Sequence, residues 1–209
     1  RSSSSAASDV YKRQILCVIK DSCANKEMTP PNRHKVICSG SESCTKATIK
    51  GNAICGGNGA EKACFGAKID GDADCQGKFS CTASITGTAK CKGKNACHSA
   101  KIDGGATCEG DLTCIKATIK GFTTCDGQKA CDGAHIDGMV TCKGYESCYG
   151  AFISGNTICH GRYACMYAQI TGNVCCTTQA ACKDVMVSSG STIKTCLLYT
   201  SPSPRDSAL

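Results

Sequence analysis

The chain has 209 residues, of which 22 are cysteine and 23 are glycine, with no tryptophan and a formal net charge of +7. Cysteine at this density indicates a disulfide scaffold, and disulfides persist in oxidising compartments, so we expect a secreted or cell-surface protein. Lysine and aspartate are interspersed without a run of like charge, which argues against a nucleic-acid partner and against a polybasic membrane patch.

The two ends of the chain are unlike the rest. Residues 4–14, SSAASDVYKRQ, and residues 196–206, CLLYTSPSPRD, resemble translations of the adaptors used to prepare sequencing libraries. We therefore expect adaptor-derived, disordered segments over 1–14 and 196–209, and a disulfide-rich domain over 15–195. Cys196 is then foreign to the natural fragment, whose true termini, with any signal peptide, are missing.

Between these ends one unit repeats. It reads C-x-G-x-x-[AS]-C-x-x-A-x-I-x-G-x-x-x-C, as in the stretch from Cys142 to Cys159. The usual spacing is six residues from the first cysteine to the second and eleven to the next unit, a period of seventeen. The departures are a Pro-containing excursion after Cys23, three extra residues between Cys55 and Cys64, and one missing residue between Cys81 and Cys91.

Small apolar residues alternate with polar ones in each unit, as in Ala134, His135, Ile136 and Asp137. Alternation with period two is typical of a strand, and the recurring glycines are natural corners because glycine tolerates positive φ and close backbone approach. Short strands and corners at a constant period predict an all-β fold, a single parallel β-helix or solenoid of about ten coils. Its interior of Ala, Ile, Val, Thr and Cys implies a narrow, packed lumen.

The cysteines admit three interpretations: metal ligands, a redox centre or disulfide staples. Structural zinc sites use closely spaced pairs such as C-x2–4-C, whereas the only close pair here, Cys175 and Cys176, is adjacent. Thioredoxin-like chemistry needs C-x-x-C beside a helix start, and the pattern predicts no helix. We therefore expect no metal site and no cofactor. Four histidines fall at unrelated, solvent-facing positions of the repeat: His34, His98, His135 and His160.

Disulfides fit the repeat better. Within one coil, the six-residue path separates two cysteines by under about 2 Å of rise along the axis, against about 3 Å for the eleven-residue path. We therefore predict one disulfide inside each coil, and each closed loop contributes about 2–2.5 kcal/mol to the stability of a small core. The pairs are Cys17–Cys23, Cys38–Cys44, Cys55–Cys64, Cys75–Cys81, Cys91–Cys97, Cys108–Cys114, Cys125–Cys131, Cys142–Cys148, Cys159–Cys165 and Cys176–Cys182. Cys175 is left over and faces outward, as a free thiol or as the partner of a residue in the missing segment.

This construction resembles the disulfide-stapled β-solenoids of beetle antifreeze proteins, and the C-x-G-x-x-[AS]-C signature is similar to cysteine-rich repeats of marine protist and algal proteins. The antifreeze resemblance implies a Thr-x-Thr ladder on a flat outward face. This chain departs from it, because its outward columns are mixed and charged, which suits coil-to-coil ion pairs. One short outward ladder remains as a candidate ice-binding face, although threonine is also a common strand residue: Thr107, Thr124 and Thr141.

Two other groups invite a functional interpretation. In the stretch DGDAD, Asp70, Asp72 and Asp74 alternate, and we expect them to share one outward face, where carboxylates suit Ca²⁺. The glutamate and turn of an EF-hand loop are absent, so a solvated acidic patch neutralised by neighbouring lysines is the stronger interpretation. Aromatic residues of neighbouring coils offer rings for stacking on sugars: Tyr145, Phe152, Tyr163 and Tyr167.

Catalytic motifs are absent from the sequence. It contains no G-x-S-x-G, no phosphate-binding loop and no Ser, His and Asp set that shares one coil in a convincing way, so we expect no enzyme. The sequence therefore predicts a secreted, non-catalytic structural or surface-binding solenoid that acts as a rigid scaffold or spacer. Ice binding and polysaccharide binding are the alternative functions, and end-to-end self-association is a further expectation.

Overall fold

The structure is a computed structural model that describes residues 14–31, 34–57 and 59–196. The two segments interpreted as adaptor-derived lie outside the described residues, apart from Gln14 and Cys196. One short 3-10 helix, Gln179–Cys182, accompanies the strands. In chain order the strands are β1 (Ile15–Cys17), β2 (Glu27–Met28), β3 (Val36–Cys38), β4 (Thr48–Ile49), β5 (Ala53–Cys55), β6 (Lys68–Ile69), β7 (Ala73–Cys75), β8 (Ser84–Ile85), β9 (Ala89–Cys91), β10 (Lys101–Ile102), β11 (Ala106–Cys108), β12 (Thr118–Lys120), β13 (Thr123–Cys125), β14 (His135–Asp137), β15 (Val140–Cys142), β16 (Phe152–Ile153), β17 (Thr157–Cys159), β18 (Gln169–Ile170), β19 (Val174–Cys176), β20 (Met186–Val187) and β21 (Ile193–Thr195).

The strands form two parallel sheets. The eleven odd-numbered strands make the cysteine sheet, in which β1 to β19 each end on a cysteine, and the ten even-numbered strands make the isoleucine sheet, in which β4 to β18 each carry one isoleucine. Every strand pairs with its equivalent in the next coil, so that Cys108 lies between Cys91 and Cys125. The predicted all-β parallel solenoid of about ten coils is therefore confirmed.

Alternation sends one side of every strand into a narrow interior. Ala134 and Ile136 are buried, whereas His135 and Asp137 are exposed. The buried residues of the described chain are Cys, Ala, Ile, Val, Thr, Ser, a few Gly, one Met and one Pro, with no Leu and no aromatic residue among them. The lumen is therefore as narrow and as tightly packed as the sequence predicts.

All ten predicted within-coil disulfides are present. Their Cα–Cα distances run from 5.6 Å for Cys55–Cys64 to 6.2 Å for Cys108–Cys114, within the usual range of a disulfide. Each bond ties the end of a strand in the cysteine sheet to the turn that follows it. We call the segment from the first cysteine of a bonded pair to two residues beyond the second cysteine a disulfide turn.

One of the two expectations for Cys175 was a free thiol, and that expectation is wrong. Cys175 forms an eleventh disulfide with Cys196, the residue assigned above to the foreign flank. The reason is register: β21 pairs with β19 so that Lys194 lies beside Cys175, and Cys196 is the next residue that points to the same side.

Two columns of glycine are required by close approach between coils. A Cβ on Gly161 would lie 2.1 Å from the carbonyl oxygen of Gly144, and one on Gly155 would lie 2.1 Å from that of Gly138. Both distances are far inside van der Waals contact, so no side chain fits there. Corner glycines were expected to allow either positive φ or close backbone approach. Gly155 and Gly161 are needed for close approach.

The left-handed backbone conformation recurs around the second cysteine of the disulfide turns. In the turn closed by Cys142 and Cys148, Glu146 has φ 52° and Gly150 has φ 61°. This conformation points their amides along the axis, where Glu146 donates to the Arg162 carbonyl at 3.1 Å and Gly150 to the Met166 carbonyl at 2.9 Å. The disulfide turns therefore form a third hydrogen-bonded ladder between coils.

Candidate binding surfaces

The cysteine clusters are not metal centres. Among the described residues, the groups of three potential ligands that meet within reach of one ion consist of cysteines, such as Cys91, Cys108 and Cys114. Each of these cysteines is in a disulfide. The thiolate is the form of cysteine that binds metals, and a cysteine in a disulfide has no thiolate.

Asp70 lies on a different sheet from the other two aspartates of the DGDAD stretch, so the predicted face common to all three is wrong, although Asp72 and Asp74 share one outward face. Asp70 follows β6 of the isoleucine sheet, whereas Asp72 precedes β7 of the cysteine sheet and Asp74 lies within it. The chain turns between the sheets at Gly71, and alternation along the sequence does not reveal this corner. In the described part of the chain, no three carboxylates meet closely enough to hold one ion.

The contacts of these carboxylates are with the protein itself. The Asp72 carboxylate accepts the backbone N–H of Thr88 at 2.8 Å and its hydroxyl at 2.9 Å, so it links two coils. Asp74 accepts from the side-chain amide of Gln76 at 3.0 Å. The Asp70 carboxylate lies 3.9 Å from the ammonium of Lys68. Of these contacts only that of Asp70 is with a cation, so neutralisation by a lysine is supported for Asp70 alone.

Charged side chains elsewhere pair from coil to coil, as the mixed outward columns predict. Lys120 lies 3.1 Å from Asp103 on the isoleucine sheet, and Lys50 pairs with Glu27 on the same sheet. The Lys50 ammonium, through a hydrogen bond and its charge, holds the pKa of Glu27 below its ordinary value, and Glu27 raises the pKa of Lys50 in turn. These pairs are exposed to solvent, so each contributes little to stability. Equivalent pairs between neighbouring coils are Lys20–Glu42, Lys78–Glu61, Lys92–Glu109 and Lys129–Glu146.

One part of the outward surface carries no charge. Over five coils of the cysteine sheet, the two outward columns contain no Asp, Glu, Lys, Arg or His. We call these ten residues the uncharged strip. They are Gly105, Phe122, Met139, Asn156 and Asn173 in the column before the strands, and Thr107, Thr124, Thr141, Ile158 and Cys175 in the column on the strands.

The predicted threonine ladder lies within this strip. Thr107 is in register with Thr124, and Thr124 with Thr141, so the ladder runs over three coils. The neighbouring column is apolar and protrudes, because Phe122 is 60% exposed and Met139 is 51% exposed. Large apolar side chains at such exposure in adjacent coils make a ridge beside the threonines.

A second ladder, which the sequence analysis missed, runs along the corner before the cysteine sheet. The Asn156 side-chain oxygen accepts the backbone N–H of Asn173 at 3.1 Å, and the Asn173 oxygen accepts that of Thr192 at 3.2 Å. Asn52 and Asp72 do the same in earlier coils. Its sequence signal is a Gly-Asn or Gly-Asp dipeptide at the corner, where the asparagine or aspartate oxygen reaches one coil along.

The corner ladder is interrupted over part of the uncharged strip. At the equivalent position three consecutive coils carry Gly105, Phe122 and Met139, none of which has a side-chain oxygen. Two of these replacements are the exposed apolar residues beside the threonine ladder. These coils lack the stabilising side-chain hydrogen bond of the corner ladder and expose apolar surface.

Comparison with protein-family models, with curated proteins and with solved structures found no match. Assignment of this surface therefore depends on its own chemistry. The ten regular disulfides indicate an oxidising environment. In the part of the chain that the structure describes, no helix has the length and apolar character needed to cross a membrane.

The aromatic residues predicted to stack on sugars do not form one platform. Phe152 lies on the isoleucine sheet and stacks on His135, with ring centroids 4.7 Å apart and an interplanar angle of 4°. Tyr145 and Tyr163 lie in disulfide turns and meet edge to face at 6.1 Å. The fourth, Tyr167, meets a different partner, Tyr149, at 5.4 Å. The rings pack against one another in three separate pairs.

Proposed function

We propose that this chain is a secreted, non-catalytic structural rod that presents the uncharged strip to another surface. The rigidity of the rod rests on one disulfide inside each of ten coils and on three hydrogen-bonded ladders between coils. A solenoid of this kind is stabilised by each repeat and by its contact with the next, and it repeats one outward column on every coil.

The observation that carries the surface-binding part is the interruption of the corner ladder at Gly105, Phe122 and Met139. Asparagine in place of Phe122 or Met139 would put a side-chain oxygen at the corner position from which Asn156 bonds to the next coil. Departures from a stabilising pattern are expected where a surface has a function, and exposed apolar patches mark interaction sites. The absence of charge over the strip favours a partner surface of low charge, for which insoluble polysaccharide is the first candidate.

The test is depletion of the oxidised protein from solution by insoluble polysaccharides, with crystalline cellulose and chitin as the solids. The strip variant Thr124→Lys places a charge in the middle of the threonine ladder. Its matched control, Thr118→Lys, places the same charge on the outward side of the isoleucine sheet, where Thr118 is exposed. We expect the wild-type chain and Thr118→Lys to be depleted by at least one solid, and Thr124→Lys to stay in solution.

Two outcomes would contradict the proposal. One is that both lysine variants bind as the wild type does, which would show that the strip takes no part. The other is that neither the polysaccharides nor ice retains the wild-type chain.

Ice is a second candidate surface, and the observation that favours it is the threonine ladder. Parallel register spaces Thr107, Thr124 and Thr141 at about 4.8 Å, a regular array of hydroxyl and methyl groups. The ridge made by Phe122 and Met139 is less regular than the ladder and disfavours a flat fit. Thermal hysteresis and ice recrystallisation assays on the same variants separate the two candidates, because a null result at high protein concentration removes ice and leaves the polysaccharide test standing.

A further inference from the structure

All four tyrosines of the described chain lie on one edge of the solenoid. The edge is formed by stacked disulfide turns, and the tyrosines flank Cys148 in one coil and Cys165 in the next. They are Tyr145, Tyr149, Tyr163 and Tyr167. Each tyrosine of one coil therefore has a tyrosine of the next coil as its neighbour.

The pair Tyr149 and Tyr167 has the closer geometry. Its ring centroids are 5.4 Å apart with an interplanar angle of 88°, so the edge of one ring faces the plane of the other. Tyr167 is 44% exposed, and Tyr149 is partly exposed, so small oxidants reach both rings. Coupling of the two rings joins the carbons next to the hydroxyl groups, so it requires rotation about the side-chain torsions from this edge-to-face arrangement.

The pair Tyr145 and Tyr163 is wider and is held by other groups. Its centroids are 6.1 Å apart. The Arg162 guanidinium lies 4.9 Å from the centre of the Tyr163 ring and donates to its hydroxyl at 3.4 Å. This contact lowers the pKa of Tyr163, whereas a hydrogen bond to Glu146 raises the pKa of Tyr145. Moving Tyr163 toward its partner would break the contact with Arg162.

The regular disulfides leave neighbouring coils without a covalent cross-link beyond the continuity of the chain itself. Each of the ten closes a loop inside one coil, whereas neighbouring coils are joined by hydrogen bonds, ion pairs and packing. Tyr149 and Tyr167 belong to neighbouring coils. A bond between them would therefore supply a kind of link that the regular disulfides do not.

We propose that Tyr149 and Tyr167 are an oxidative cross-linking site that forms a dityrosine bond between two coils. A one-electron oxidant of the peroxidase class, with hydrogen peroxide as co-substrate, removes one electron and one proton from each phenol. The two radicals join through a carbon–carbon bond between their Cε atoms. Each of these carbons then passes its hydrogen to the phenolic oxygen, which restores the hydroxyl and the aromatic ring. The two electrons and two protons reduce hydrogen peroxide to two molecules of water.

The test is treatment of the oxidised full chain, at low protein concentration, with a haem peroxidase and limiting hydrogen peroxide. Proteolysis and mass spectrometry then seek a peptide pair joined through Tyr149 and Tyr167 and lighter by two hydrogen atoms. We expect this product in the monomer, together with dityrosine fluorescence. Tyr149→Phe removes the phenol but keeps the ring, so it is expected to fold and to lose the product.

Tyr145→Phe is the matched control, because it removes a phenol from the other pair and is expected to keep the Tyr149–Tyr167 product. Circular dichroism of both variants checks that the fold is retained. Absence of the product under conditions in which a free tyrosine derivative dimerises would overturn the proposal. So would cross-links found only between chains, with a yield that rises with protein concentration. The site does not depend on what the uncharged strip binds.

Discussion

At the scale of single residues, the repeat is restricted by the space that is available for a side chain between two coils. Gly161 has the backbone of Gly144 where its Cβ would be, so any side chain there displaces a coil. Gly150 differs, because a Cβ there meets nothing within 4 Å and its positive φ is the only restriction. Other coils place Lys116 and Tyr167 at that same turn position. Glycine is therefore necessary at Gly161 and replaceable at Gly150.

This difference predicts opposite results for two substitutions. Gly161→Ala is expected to lower the free energy of unfolding by about 1–3 kcal/mol, because the added methyl overlaps backbone. Gly150→Asn is expected to change it by less than about 0.5 kcal/mol, because asparagine tolerates the left-handed conformation and the space is open. Denaturant unfolding of the oxidised proteins measures both values. Equal destabilisation by the two changes would contradict the close-approach argument.

The ion pair of Glu27 with Lys50 gives a pH prediction. Because the pKa of Glu27 is held below its ordinary value, its ionised form stabilises the fold above the pKa that Glu27 has in the unfolded chain, and this contribution is lost as the pH falls through the folded-state pKa. Lys50→Met is expected to raise the pKa of Glu27 toward its ordinary value. Carbon NMR titration of the side-chain carboxyl measures the shift.

The matched control for this titration is Lys101→Met, which removes an exposed lysine from β10, farther along the same sheet. It is expected to leave the pKa of Glu27 unchanged. If Glu27 titrates at the same pH with and without Lys50, the ion pair does not exist in solution.

At the scale of elements, the disulfide turn does two things at once. Its disulfide closes a short loop, which lowers the conformational entropy of the unfolded chain. Its two left-handed residues direct amides to the next coil, as Glu146 and Gly150 do. A strand of two or three residues forms few hydrogen bonds by itself, so the turn supplies ladder hydrogen bonds that the short strands lack.

Removal of one disulfide from the middle of the rod tests this dual role. Cys108→Ala with Cys114→Ala is expected to lower the free energy of unfolding by about 2–2.5 kcal/mol, the chain-entropy value for a loop of this length. Hydrogen exchange is expected to speed up in β11 and in the strands on either side of it, because each coil contacts only its neighbours. Denaturant unfolding and exchange measured by mass spectrometry give the two readouts.

The matched control for this change is the same double substitution at Cys17 and Cys23, in the first coil. It is expected to speed exchange in β1 and its neighbour and to leave β11 protected. If loss of the middle pair left exchange in β11 unchanged, the disulfide turn would not support its own coil.

At the scale of the whole molecule, periodicity explains how much the sequence could predict. A constant spacing of cysteines and an alternating pattern fix the register of every coil, so the columns, the narrow core and the ten pairs follow from them. Side-chain positions near the corners do not follow from the periodicity, because they depend on the path of the chain between strands. The alternating pattern continues through the corner at Gly71. It therefore predicts that Asp70 and Asp74 share one face, although the two residues lie on different sheets. The corner ladder of Asn156 and Asn173 depends on which side-chain oxygens reach one coil along, which needs coordinates.

The functional proposals follow from the same periodicity. A rod that repeats each outward column makes a departure from the repeat visible, and the uncharged strip and the tyrosine edge are two such departures. Both depend on a scaffold in which each coil is closed by its own disulfide. The described core contains isoleucine and valine but no buried leucine and no buried aromatic residue, so packing alone holds the coils weakly if those bonds are absent.

The pairing of the cysteines is therefore the measurement that tests the account most directly. The oxidised chain is alkylated without reductant, digested and mapped by mass spectrometry. We predict no alkylation at the cysteines of the ten within-coil pairs, and peptides in which each cysteine is joined to its partner in the same coil, as Cys108 is to Cys114. Alkylation of most cysteines without reductant, or links from the second cysteine of one coil to the first of the next, such as Cys114 to Cys125, would contradict the stapled solenoid.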